Sequence, residues 1–165
     1  MAEQDAEAQS APDLPLTVLG VRVDLPTQNH ALLLLTPDGS TVVPVWIGAP
    51  EATSVAMVLD GVHAPRPLTH DLTVAMLERL GEQIRSARLT AVNDDVFLAE
   101  LVLVSGHRFD ARPSDAIALA LRTGAPVLAA QAVVDDAGVP VQDDDDADVD
   151  SFRRFIDDVD PSDFA

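Results

Sequence analysis

At 165 residues the chain has room for one domain with a real core and not for two of ordinary size. It holds no cysteine, which excludes disulfides, thiolate chemistry and cysteine-ligated zinc, so any metal must sit on carboxylates or histidines. The formal net charge is −18 and all ten basic residues are arginine, which reads as a halophilic surface kept soluble in concentrated salt by its carboxylates.

In chain order, residues 1–14 are acidic without apolar periodicity and are expected to be disordered. The segments LTVLGVRVD (16–24), HALLLLTP (30–37) and TVVPVWI (41–47) read as strands, and PDGS at 37–40 is a short hairpin loop that makes the pairing antiparallel. Pro44 has no N–H to give a ladder, so the third strand belongs at an edge or carries a bulge. A helix follows with Pro50 in its first turn, an apolar stripe of Ala52, Val55, Ala56 and Leu59, and Gly61 at its end. A second helix is expected from an N-cap at Thr69 to Leu80, burying Leu72, Met76, Leu77 and Leu80. RSARLTAV and VFLAELVLV form a hairpin around Asn93 to Asp95, and HRFDA is a third strand beside them. The helix in PSDAIALALRTGAP is small-residue rich for close packing and is closed by Gly124 and Pro126, after which APVLAAQ is a last short strand.

The end of the chain divides in two. Residues 139–150, with the run Asp143 to Asp146, form an acidic linker that lacks the glycine and terminal glutamate of an EF-hand loop. Residues 151–165 resume helical periodicity with Phe152, Phe155, Ile156 and Val159 on one face, capped by Asp150 or Ser151 and stopped by Pro161. This C-terminal helix is expected to dock on the body, residues 15–138. The fold class is α+β, with a mixed, largely antiparallel sheet, three core helices and the docking helix. Unbroken apolar runs such as Ala31 to Leu35 are far too short to cross a bilayer and no signal-like segment precedes them, so a cytoplasmic location without membrane partners is expected.

Three stretches then stand out as a set: VPVWIGAPEATSVAMVLDGV (43–62), PRPLTHDL (65–72) and FDARPSDAIALALRTGAPVLAA (109–130). Together, in this order, they resemble the bifunctional nuclease domain family over roughly Leu16 to Gly138, and FRRFIDDVDPSDF resembles the tail of many single-domain members. The resemblance implies a compact α+β domain and a nuclease acting on both RNA and DNA. It carries over no catalytic residue set, so the candidates come from residue chemistry.

Phosphodiester hydrolysis needs an activated water and neutralisation of phosphate charge, which clustered carboxylates holding divalent ions such as Mg or Mn can supply. The catalytic candidates are Asp110, Asp115, Asp71 and His70; Asp110, Asp115 and Glu51 are the candidate metal ligands, His63 is a second histidine in the same loop region, and Arg66 and Arg112 are the candidate phosphate clamps. Each has a plainer role. Glu51, Asp71 and Asp115 lie in first turns, where an acid stabilises the helix dipole by about 0.3–1 kcal/mol. Arg66 and Arg112 precede prolines and could tie down a loop by pairing with Asp110, Asp115 or Asp71. His70 and Asp71 are adjacent on a helix and do not face each other. His30 and His107, at strand starts, read as surface residues, and the single tryptophan, Trp46, reads as core or one wall of the site rather than a base-stacking platform.

Two functions follow. One is a metal-assisted nuclease. The other is a non-catalytic binding or regulatory module whose cleft between PRPLTHDL and DARPSDA takes an anionic ligand or a protein segment. The lack of a basic patch counts against the nuclease, because nucleic-acid binders draw affinity from neutralised phosphates, although a metal ion bridging acid to phosphate would answer the objection. The motifs of serine hydrolases, P-loop proteins and dinucleotide binders are absent. Apolar helix faces leave room for a homo-oligomer.

Overall fold

The computed structural model describes residues 12–25 and 27–141. Most of the acidic N-terminus, most of the linker and the C-terminal docking helix expected from the sequence lie outside the described residues. The elements run β1 (Leu14–Asp24), β2 (Asn29–Leu35), β3 (Thr41–Ile47), α1 (Ala49–Leu59), α2 (Thr69–Arg79), β4 (Ile84–Asn93), β5 (Val96–Leu103), β6 (Arg108–Ala111), α3 (Pro113–Thr123), β7 (Val127–Ala129), α4 (Gln131–Ala137) and β8 (Val139–Pro140). The eight strands form one sheet in the order β6-β5-β4-β7-β1-β2-β3-β8. Every neighbouring pair is antiparallel except β4 with β7, which gives the expected mixed, largely antiparallel α+β architecture.

Local chemistry accounts for the elements. Alternation sets β2 and β3: Leu32, Leu34, Val43 and Val45 all point inward and are buried. The β4–β5 turn places both Asp94 and Asp95 at positive φ, 47° and 64°, the left-handed pair of a type I′ hairpin that acidic and amide residues tolerate. Pro44 lies opposite Leu33 of β2, while β8 reaches only Thr41 and Val42, so its missing N–H faces the open side of β3. α3 is the central helix, with Ala116, Ile117, Ala118, Leu119 and Ala120 all buried; its alanines let neighbouring helices and strands come close, and Gly124 ends it in the left-handed conformation at φ 69°.

The structure departs from the sequence reading at several places. α2 begins one residue earlier, with Leu68 as N-cap, and none of its residues is fully buried. Leu72, Met76 and Leu80 are exposed instead of buried, and with Leu68 they form an apolar ridge on the outer face. The helix is turned because its docking face is polar at one end: His70 and Asp71 bond to other helices, and Val74 and Leu77, on the same side, reach the core. In α1 the stripe holds at Ala52 and Val55, but Leu59 is exposed and Ser54 is buried in its stead. A fourth helix, α4, burying Val133 and Val134, and the short β8 add to the three core helices expected; Val139 and Pro140, assigned to the linker from sequence, belong to the sheet.

The junction of α4 and β8 is tight. A Cβ at Gly138 would collide with the Val134 carbonyl oxygen and come within 2.6 Å of Thr41 Cγ2. Gly138→Ala is therefore expected to lower the unfolding free energy by about 1–3 kcal/mol, the range for forced overpacking, as read from the midpoint of urea denaturation.

Candidate functional site

The first turns of α1, α2 and α3 converge, and each carries an acid at its third position: Glu51, Asp71 and Asp115. Two arginines collect all three. Arg112, the N-cap of α3, donates from Nε to Asp115 Oδ2 at 2.7 Å and from Nη1 to Glu51 Oε1 at 2.8 Å. Arg122, in the last turn of α3, donates from Nε to Asp71 Oδ1 at 2.6 Å, from Nη1 to the Ala118 carbonyl at 3.0 Å and from Nη2 to Ser54 Oγ at 3.1 Å. Between these pairs lies His70, whose Nε2 is 3.0 Å from Asp115 Oδ1 and whose Nδ1 is 2.9 Å from Ser54 Oγ. The result is one chain of polar contacts, Glu51–Arg112–Asp115–His70–Ser54–Arg122–Asp71, running through all three helices.

Roles follow from donor and acceptor chemistry. An ionised carboxylate only accepts, so Nε2 of His70 carries a proton toward Asp115, and Nδ1 shares a hydrogen bond with the Ser54 hydroxyl. A serine, a histidine and an aspartate in line suggest a nucleophile with its base, but the wiring is unsuited to that task. Ser54 is buried, its oxygen already accepts from Arg122, and both ring nitrogens of His70 are engaged inside the protein. Burial works against ionisation of Asp115, yet the hydrogen bonds and charge of Arg112 and His70 outweigh it and hold the carboxyl below its ordinary range. Asp71 is lowered too, first by the hydrogen bond from Arg122 and then by that from the Leu68 backbone N–H at 2.9 Å, half of a capping box. The same contacts hold Arg112 more firmly protonated than usual, with Asp115 the main cause.

A depressed folded-state pKa stabilises the fold above the unfolded carboxylate pKa, about 3.9, and that contribution fades as pH falls toward and through the folded value. Asp71→Asn is thus expected to be less stable than wild type at neutral pH, with the gap closing below about pH 4, as read from paired urea denaturation at a series of pH values. The paired comparison removes the changing self-repulsion of a chain of this charge, which both proteins share.

The remaining candidates lie apart from this network. Asp110 sits on β6 opposite Glu100, exposed, and its carboxylate makes no hydrogen bond or ion pair among the described residues. Arg66 is exposed in the loop between α1 and α2 and is likewise without a partner there, and exposed His63 borders a cavity with Leu68, Asp71 and Arg122. The loop-tying role weighed for Arg112 is realised through Asp115, whereas Arg66 makes no such pair. Beside Arg112 a groove of about 440 Å³ opens between the end of β3, the β4–β5 hairpin and the start of α3, and Asp110 and Ser114 line it with Arg112. Trp46, expected in the core or at the wall of the site, is 60% exposed and forms one side of this groove.

The sequence reading missed Ser54, Arg122 and Ser114. Two of them had a signal: Ser54 lies three residues after Glu51, and Arg122 seven after Asp115, so each shares a helix face with a nominated acid. As for a divalent ion, no group of three or more His, Asp or Glu is placed to hold one among the described residues. The donor chemistry gives the reason: Glu51 and Asp115 are each bonded to Arg112, and Asp110 stands outside their network. The proposed three-ligand set does not fit a metal as these side chains stand.

Comparison with known proteins bears on the same stretch. The model of the bifunctional nuclease domain matches residues 32–142. An uncharacterized protein of Mycobacterium tuberculosis is 36% identical over 156 residues, covering 89% of this chain and 95% of its own length. Bifunctional nuclease 1 of rice is 28% identical over 75% of this chain, which spans 39% of the rice protein. Bifunctional nuclease 2 of Arabidopsis thaliana is 27% identical over 60% of this chain and 32% of its own length.

Proposed function

The chain belongs to the bifunctional nuclease domain family, and from that membership and the open chemistry of the groove we propose that it hydrolyses phosphodiester bonds of RNA and DNA. Arg112 binds the phosphate. Two of its five N–H donors are spent on Asp115 and Glu51, which aim the guanidinium, and the others remain available because the side chain is 64% exposed. Asp110 is the base. The observation that carries this assignment is that Asp110, alone among the nominated acids, has a carboxylate free of internal bonds, in the groove that Arg112 lines. An attacking water gives its proton to Asp110 as its oxygen bonds to phosphorus; the leaving sugar oxygen departs with the electron pair of the broken P–O bond and takes a proton from solvent. Asp115, His70 and Asp71 act as framework, fixing Arg112 and the helix ends.

A second reading is a non-catalytic module that takes an anion in the same groove; the commitment of Glu51, Asp71, Asp115 and His70 to internal bonds favours it. One experiment separates the two. The protein, purified in high potassium chloride, is assayed on labelled single-stranded RNA and DNA with magnesium, with manganese and with EDTA. The nuclease reading expects cleavage by the wild type that is lost in Arg112→Ala and in Asp110→Asn. Cleavage that survives both substitutions marks a contaminant and overturns it, and binding without cleavage assigns the groove to the second reading.

A further inference from the structure

We propose that the groove takes an unpaired base of a single-stranded nucleic acid, stacked on Trp46, with the adjoining phosphate on Arg112 and the Ser114 hydroxyl. This names the substrate class for the site assigned above and rests on that reading. A tryptophan is the side chain with most to gain from burial, yet Trp46 is left 60% exposed at the end of β3. Facing it from the tip of the β4–β5 hairpin are Val96, 60% exposed, and Leu98, 38% exposed, which line the same groove. An indole on one side and aliphatic side chains on the other make a slot for a flat apolar ring, the way enzymes hold a base taken out of its stack.

The rest of the groove supplies donors for an oxyanion. Arg112 keeps unspent N–H groups. Ser114 is only 6% exposed and lines the groove, and its hydroxyl has no hydrogen-bond partner among the described residues. No fully buried side-chain oxygen among the described residues lacks a partner, so the Ser114 hydroxyl is open to the groove, where it can donate to a ligand's oxygen beside Arg112. Asp95 and Asp110 also line the groove, so its preference for a phosphate-bearing occupant over an apolar peptide rests on these directed donors and not on net charge. Paired bases of a duplex are stacked on their neighbours and cannot enter such a slot. The site also fits the protein's charge: with one or two phosphates neutralised, affinity for a single strand falls with a log–log salt slope of only about −0.7 to −1.4, so concentrated salt is tolerated.

The chain has one tryptophan and no tyrosine, so its intrinsic fluorescence reports on Trp46 directly. Full-length protein is titrated with a cleavage-resistant phosphorothioate single strand, an abasic strand of equal length and the corresponding duplex. The single strand is expected to quench the emission and shield it from acrylamide, while the abasic strand and the duplex do neither. By anisotropy of a labelled strand, Trp46→Leu is expected to bind roughly 5- to 150-fold more weakly, the range of one base–aromatic stack, with Trp46→Phe recovering part of the loss. Equal quenching by the abasic strand, a response to a hydrophobic peptide but not to the single strand, or unchanged affinity in Trp46→Leu would each overturn the proposal. Its failure is distinct from that of the nuclease reading: cleavage without a Trp46 response removes only the base slot, and a Trp46 response without cleavage removes only the chemistry.

Discussion

Replacing Arg122 by methionine is expected to lower the unfolding free energy by about 2–4 kcal/mol, the largest stability loss of any single polar residue in the domain. Its side chain is 9% exposed and bonds to three elements at once: Asp71 of α2, Ser54 of α1 and the Ala118 carbonyl of its own helix. Methionine keeps the aliphatic volume and removes the donors, so the Ser54 oxygen loses a partner in a buried setting. Asp71 is 38% exposed and can turn to water, which holds the expected loss below the upper range for a buried pair. Urea denaturation checks it, and a double mutant with Asp71→Asn separates the pair from the rest: the two losses are expected to add to less than their sum, because both residues belong to one network.

The second large effect is on chemistry. Arg112→Ala is expected to lower kcat/KM for single-stranded substrates by about 100- to 1,000-fold, the usual consequence of removing a preorganised donor to a reacting oxyanion, with steady-state cleavage as the readout. Arg112→Lys is expected to recover little. A lysine ammonium cannot be aimed by two carboxylates through separate arms while still presenting donors to the groove, as the planar guanidinium is. The stability cost of either change is small beside that of Arg122, since Arg112 is largely exposed and its pairs with Glu51 and Asp115 are screened by solvent.

The fold was readable where a single physical signal dominated. Short apolar runs on either side of the PDGS loop placed β2 and β3, the Asn93 to Asp95 turn placed the β4–β5 hairpin, and Pro50 and Gly124 marked helix ends. α2 was misread because its apolar residues at 68, 72, 76 and 80 repeat every four positions and look like a core stripe, when its docking face is held by ions at one end. Periodicity counts apolar side chains and is blind to a helix held through an arginine 51 residues away. The site was half legible for the same reason. DARPSD announced Arg112 and Asp115, but sequence alone cannot show that Asp115 spends both oxygens on His70 and Arg112 while Asp110, five residues earlier on β6, keeps its own free. Of the two readings of Trp46, core or a wall of the site, the structure takes the second, because exposure of a strand residue depends on what its sheet meets across space, here a hairpin tip that stops short of covering it.

Under the proposed function labour is divided: the Ser54–His70–Asp115 line and its arginines hold three helices together, and the chemistry would belong to the groove that Arg112 and Asp110 share. The most direct measurement is the cleavage rate per folded molecule of His70→Ala set beside that of Arg112→Ala, with the folded fraction of each fixed by urea denaturation under the assay conditions. His70→Ala is expected to lose stability but to cleave at close to the wild-type rate per folded molecule, while Arg112→Ala stays folded and loses cleavage. A folded His70→Ala protein whose cleavage falls as far as that of Arg112→Ala would contradict it and return the histidine to the centre of the reaction.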